Sequence, residues 1–320
     1  MITRTTTAGI CSLVWFGAFI CVAGLHAAEP AGTKPDSFLF SFFRDNGQDG
    51  LFLAWSRDGL RWSELKPPGK SFLAPNLGNK LMRDPCLRQA PDGTFHLVWT
   101  TGWGDRIIGY ASSKDLLHWT EPKAIPVMMH EPMARNAWAP ELFYDEAHGQ
   151  WLIFWSSTIP GRFAETAGSG DDGWNHRAYC VTTRDFQTFS ETKLFYDGGF
   201  NVIDATLVKV GSRYHLIVKD ETRQPVKKHL RFAVSDHAEG PFGPASEPFT
   251  LSWVEGPSAL LVGGEVFVYF DHYATPQHYG AVKTADFKTW QDLTKQLSFP
   301  AGARHGTVLR VSEEVLQPLR

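Results

Sequence analysis

The sequence predicts an all-β fold, a five-bladed β-propeller with four antiparallel strands per blade and a ring closed by the N-terminal strands. Three observations carry that expectation. First, a polar and mostly acidic residue heads an apolar strand in five places: Arg83-Asp84-Pro85, Ala139-Pro140-Glu141, Ile203-Asp204-Ala205, Val254-Glu255-Gly256-Pro257 and Arg304-His305-Gly306. Second, each of the first four is followed by a turn glycine (Gly93, Gly149, Gly211, Gly263) and another apolar run. Third, a signature of a small residue, Ser or Thr, Asp and a later aromatic recurs around Asp58, Asp115, Asp185, Asp236 and Asp286, at steps of roughly 50 to 70 residues. A repeat of that length built from short strands is the mark of a propeller blade.

Composition agrees and narrows the function. A hydrophobic fraction of 43% with 20% charged residues supplies ample core for a globular domain, and a formal charge of −3 leaves no basic footprint for nucleic acid. The first 28 residues read as a signal peptide: Arg4 gives the positive start, Ile10 to Leu25 the apolar stretch, and Ala27-Ala28 the small residues of a cleavage site. Leu25 and His26 fit that site poorly, so an uncleaved anchor is the other reading. Either way the remainder, 29–320, is expected to be exported as one domain, periplasmic or extracellular, with no membrane contact after cleavage. Cys86 and Cys180 are too far apart to suggest a zinc or redox motif, and two buried free thiols are expected.

Strand-like runs follow in order, among them Thr94 to Thr100, Trp151 to Trp155, Tyr214 to Val218 and Val266 to Phe270, divided by Asp, Gly and Pro turns. No window of helical length keeps a three-to-four periodicity. The unit opening at Arg304-His305 has one strand, Thr307 to Val311, before the chain ends, whereas 37–65 offers strands without a head motif. Joining the two completes the fifth blade and removes the free edges that an open sheet would expose.

Propeller topology converts this spacing into a site. If the innermost strand of each blade starts at one face, Asp84, Glu141, Asp204, Glu255 and His305 crowd one mouth of the axis, together with the loops Thr101 to Ile107, Ser157 to Arg177, Lys219 to His229 and Asp271 to Tyr279. Each acid taken alone is explained by capping its own turn. Four in register repel one another in a shielded place, which favours a shared functional site.

The motifs Arg83-Asp84-Pro85, Val202-Ile203-Asp204-Ala205, Trp253-Val254-Glu255-Gly256-Pro257 and Ala303-Arg304-His305-Gly306-Thr307 resemble, in order and register, those of glycoside hydrolase family 43. The resemblance spans about residues 37 to 311. It implies a hydrolase of the arabinofuranosidase, xylosidase or galactofuranosidase kind, with Asp84 as general base, Glu255 as general acid and Asp204 orienting that acid and tuning its pKa. Ala205 stands where Pro is commoner, and Glu141 where Asp is commoner; both bear on which sugar is taken.

The chemistry is consistent with those roles. An inverting glycosidase needs a protonated carboxyl at the leaving oxygen and a carboxylate holding water across the sugar, roughly 6.5–9.5 Å away. Acids on different blades suit that gap, and a neighbouring carboxylate such as Asp204 is expected to keep Glu255 protonated. Arg83, Trp103, Trp138, Glu141, Arg304 and His305 are the expected substrate-binding residues, the tryptophans either stacking on sugar or serving as core. No cofactor is required, although a structural cation near His305 is compatible with the family. The partner is an oligo- or polysaccharide, acted on by a monomer. Two other readings stay open: a non-catalytic glycan-binding propeller, and a five-bladed glycoside phosphorylase. A fructan-cleaving propeller is disfavoured, because Phe38 to Trp55 lacks its Asn-Asp-Pro stretch.

Overall fold

A computed structural model describes residues 1–2, 37–65 and 70–320. The segment expected to be a signal peptide, apart from its first two residues, lies outside the described residues, and none of the described helices is long and apolar enough to cross a membrane.

Among the described residues, nineteen strands form five antiparallel sheets. Blade 1 takes its three outer strands from the start of the chain, β1 (Ser37–Phe43), β2 (Phe52–Ser56) and β3 (Ser63–Glu64). Blade 2 runs through β4 (Arg83–Gln89), β5 (Phe95–Thr100), β6 (Ile108–Ser113) and β7 (Lys123–Ile125). Blade 3 holds β8 (Trp138–Asp145), β9 (Gln150–Thr158), β10 (His176–Thr183) and β11 (Lys193–Tyr196). Blade 4 contains β12 (Val202–Val210), β13 (Arg213–Asp220) and β14 (His229–Ser235), and blade 5 contains β15 (Val254–Val262), β16 (Glu265–His272), β17 (His278–Thr284) and β18 (Gln291–Asp292). The last strand, β19 (Arg304–Val311), returns to pair with β1 from Ser37↔Val311 to Phe43↔Arg304. The ring therefore closes as the orphan strands at the two ends of the sequence predict.

The recurring Ser/Thr-x-Asp signature is the turn at the outer end of a blade's third strand. In blade 2, Asp115 Oδ1 accepts the N–H groups of Leu117 and His118 at 2.9 and 2.8 Å, while Ser113 Oγ accepts that of Leu116 at 2.8 Å. Asp58, Asp185 and Asp286 repeat the arrangement. A carboxylate that takes two backbone donors satisfies a turn that has no ladder partner.

Blade 4 departs from the expected four strands. Its outer place is held by the segment 241–250, in which Pro241, Pro244 and Pro248 remove donors and interrupt a ladder. Only Gly243, Ser246 and Phe249 give backbone bonds to β14, at 3.0, 2.7 and 3.1 Å.

The cores lie between neighbouring blades. Between blades 2 and 3, for instance, Ile153, Trp155, Tyr179 and Val181 meet Val98, Ile108 and Tyr110. Cys86 and Cys180 are free and buried in two of these cores.

Candidate active site

Every innermost strand carries the same irregularity. Two residues of the inner strand face one of its neighbour at Asp84-Pro85, Ala139-Pro140, Asp204-Ala205, Gly256-Pro257 and His305-Gly306, between paired residues on either side. This is a β-bulge, and in four of the five its first residue has a left-handed backbone, with φ of 51° at Asp84, 47° at Ala139, 52° at Asp204 and 58° at Gly256. Asp84, Ala139 and Asp204 hold that conformation at a steric cost of order 1–3 kcal/mol each, which is characteristic of functional positions.

The bulges sort the head residues into three levels around the axis. Asp84, Asp204 and His305 occupy the bulge itself; Glu255 and Arg304 stand one residue before it, at the position of Arg83 and Trp138. Glu141 stands one residue past it, at the position of Cys86, Thr206, Ser258 and Thr307. Counting from the acid in each motif hides this offset.

A cavity of about 160 Å³ opens above the middle level, lined by Arg83, Asp84, Trp103, Trp138, Asp204, Glu255 and His305 among the expected residues. Thr100, Ile203, Lys219 and Glu221 complete its wall. Arg304 lies behind Glu255 rather than on the wall, donating to Glu255 Oε1 at 3.0 Å and to Asp271 Oδ2 at 2.5 Å. Glu141 is not on the wall. It is buried, where Arg88 reaches Oε2 at 3.2 Å and Thr206 and Thr307 donate from 3.5 and 3.2 Å, so it sits among residues of the inner strands of the other blades, below the cavity.

His305 joins two of the acids. Its Nδ1 is 3.2 Å from Asp84 Oδ1 and 4.0 Å from Asp204 Oδ2. Burial works against its charge, yet Asp84 and Asp204 outweigh burial and raise its pKa to about 9, so the ring is an imidazolium at neutral pH. Among the described residues no group of three His, Cys, Asp or Glu side chains is arranged to hold a metal, and His305 turns its Nδ1 to Asp84. Gly256 is required beneath it: a Cβ there would stand 2.3 Å from the imidazole.

The three carboxylates are in different electrostatic states. Burial would raise Asp84, but His305, Arg83 and the hydroxyl of Thr100, which donates to Oδ2 at 2.8 Å, bring it down to about 2. Asp204 is pushed up to about 6 by burial and by the charges of Glu255 and Asp84, against the pull of His305 and Lys219. Glu255 is half-buried, and against that burial Lys219, Arg304 and His305 hold it below the ordinary carboxylate value. This reverses the expectation for the last two. Asp204 does not keep the proton on Glu255, because two cations contact Glu255, whereas Asp204 has one backbone donor, Gly256 N–H at 3.1 Å, and the more distant imidazolium. Of the two, Asp204 is the more readily protonated in the ligand-free site.

The mouth is aromatic. Trp103, 49% exposed, meets Trp138 edge to face at 5.4 Å, and Trp138 meets Trp174 at 4.4 Å. Arg83 and Arg135 lie over Trp103 and Trp174 at 4.3 and 3.7 Å. Trp174, Lys219 and Glu221 sit in or beside the loops expected at this face, but no local motif marks them.

A family model described as a probable glycosyl hydrolase domain, related to family 43, matches residues 34–316. The chain belongs to that family. A 217-residue stretch is 25% identical to an α-L-arabinofuranosidase of Bifidobacterium longum subsp. longum, covering 60% of this chain and 20% of that protein's length. Among solved structures, an α-L-arabinanase of Cellvibrio cellulosa complexed with arabinohexaose has a TM-score of 0.57 at 16% identity, over 85% of this chain and 96% of that one. An exo-β-1,3-galactanase of Phanerochaete chrysosporium has a TM-score of 0.59 at 12% identity, over 82% and 60% of the two chains. At these identities the structural likeness speaks for the fold.

Proposed function

We propose that this family member is an exported, exo-acting glycoside hydrolase that removes terminal furanosyl residues, α-L-arabinofuranosyl in the first instance, with inversion. The observation that carries the reading is the set of Asp84, Asp204 and Glu255 around one small cavity with Glu141 buried below it. A well of about 160 Å³ suits a single sugar ring at a chain end, as pockets of several hundred Å³ are usual for larger ligands. The similarity to the Bifidobacterium arabinofuranosidase supports the choice of sugar.

Asp84, ionised at any working pH, takes the proton of the attacking water, and His305 and Thr100 fix which of its oxygens faces the cavity. Glu255, on the wall and more exposed than Asp204, donates to the departing oxygen. Glu255 is the less readily protonated of the two in the ligand-free site, so it has to take up a proton when bound substrate covers it from water, and it then gives that proton to the leaving oxygen. Trp103 and Trp138 form the platform on which the rest of an oligo- or polysaccharide lies, and the protein acts as a monomer.

A panel of aryl α-L-arabinofuranoside, β-D-xyloside, β-D-galactofuranoside and β-D-galactopyranoside, followed by NMR of the anomer first released, tests the reading. Fast release from the arabinofuranoside with inverted configuration is expected; retention would overturn the mechanism. Glycan binding without turnover would favour the non-catalytic propeller, and turnover dependent on inorganic phosphate would favour a phosphorylase.

A further inference from the structure

The wall residue Lys219 belongs to no motif, yet it is the most constrained cation of the site. It lies at the end of β13, opposite Ile203 of β12, and its side chain is only 2% exposed. Its Nζ is 3.3 Å from Glu255 Oε2 and 2.6 Å from Glu221 Oε2, and it faces the ring of Tyr273 at 4.5 Å. Glu221 is paired in turn with the buried Lys228. Lys228 is 2.8 Å from Asp171, which also holds Arg223 at 3.2 Å. Asp171 is three residues before Trp174, in the long loop between β9 and β10, and the N–H of Arg223 fastens to Ser169 of that loop. A continuous line of alternating charges thus runs from Glu255 to the loop that carries an aromatic of the mouth.

We propose that Lys219 is a positioning residue for Glu255: it holds that carboxylate at the cavity wall, and Glu221 governs how strongly it does so by competing for the same ammonium group. The inference rests on Glu255 being the proton donor, but its electrostatic content stands without turnover. Other charged groups also face Glu255. Arg304 contacts its second oxygen from β19; His305 and Asp84 also act on it; Asp204 comes from β12, Asp271 from β16, and the titratable phenols of Tyr273 and Tyr279 from the end of β16 and from β17. Lys219 is the one among them whose hold is shared with an acid that leads away from the site.

The geometry gives two variants opposite signs. Lys219→Met removes a cation from Glu255, so its carboxyl should protonate at higher pH. Glu221→Gln leaves Lys219 wholly to Glu255 and removes a nearby negative charge, so the carboxyl should protonate at lower pH. Lys219→Arg keeps the charge and should restore much of the wild-type behaviour.

The experiment is ¹³C NMR titration of the protein labelled at glutamate carboxyl carbons, with the Glu255 signal assigned from its loss in Glu255→Gln. Midpoints displaced upward in Lys219→Met and downward in Glu221→Gln are the expected result. Midpoints unmoved, or moved in the same direction in both, would overturn the proposal, and Glu221→Gln keeps it testable if Lys219→Met does not fold. Turnover of aryl arabinofuranoside by the same samples is read separately. Absence of all hydrolysis in the wild type would count against the proposed activity while leaving the titration result to decide the role of Lys219.

Discussion

Glu255 is the residue on which the proposed chemistry turns, and its role is separable from that of Asp84 through the leaving group. Protonation matters most when the departing oxygen is a poor leaving group. Glu255→Ala should therefore lose ~10²–10⁴-fold in kcat on alkyl-type glycosides and far less on substrates with acidic phenols. Asp84→Ala removes the base for water and should be severe on both. Equal losses on both substrate classes for Glu255→Ala would reject it as the donor, and Asp204, the more readily protonated of the cavity carboxylates, would then be the candidate. Gly256→Ala is a test of a different kind. The new methyl must sit at φ 58° and 2.3 Å from the His305 ring, so His305 has to move off Asp84. Loss of roughly 1–3 kcal/mol in denaturant unfolding, together with a large drop in kcat, is expected. A fully active and fully stable variant would show that His305 does not fix Asp84.

At the scale of the element, the strand ends carried most of what was legible in advance. Head motifs, turn glycines and Ser/Thr-x-Asp turns are local chemistry, and they gave five blades and the closure of β1 on β19. What they did not give was depth along the axis. Each bulge places two residues where a regular strand has one, so Glu141 and Glu255, which look alike as acids near a strand head, end on opposite sides of the bulge. The three prolines behind β14 were also present to be read, but the rest of the repeat made a fourth strand there the natural expectation. Lys219 was placed at the mouth by its loop but had no motif to fix a role, because its partners Glu221, Glu255 and Tyr273 come from separate loops and strands and only the fold brings them together. Closure has its own test. β1 pairs with β19 from Ser37 to Phe43 and with β2 from Phe38 to Phe42, and Leu39, Phe40 and Phe42 are fully buried. Deletion of 37–55 should abolish the cooperative unfolding transition in urea, and a truncation that still unfolds sharply would show that the ring does not depend on this blade.

For the whole molecule, the buried charges at the axis tie both activity and stability to pH. The alkaline limb of kcat/KM reports the free enzyme's proton donor, here the Asp204–Glu255 pair, and should fall near pH 6; no acid limb from Asp84 is expected until near pH 2. Stability should respond to His305 in a different window. Its folded pKa, about 9, lies above the ordinary value of 6.5, so the folded state binds the proton more tightly than the unfolded chain does. The stabilisation is therefore complete below about pH 6.5 and is lost as pH rises through 9, with an upper magnitude on the order of 3 kcal/mol. Burial of Asp204 acts lower down, costing stability as pH rises from its ordinary value, 3.8, to about 6, so the two effects do not overlap. Urea unfolding of the wild type should accordingly weaken between pH 7 and 9. His305→Gln should be less stable at pH 7 and nearly flat across the same interval, because a glutamine has no proton to lose. Parallel curves for the two proteins over pH 7 to 9 would mean that His305 is neutral in the folded state, and the imidazolium bridge between Asp84 and Asp204 would have to be abandoned.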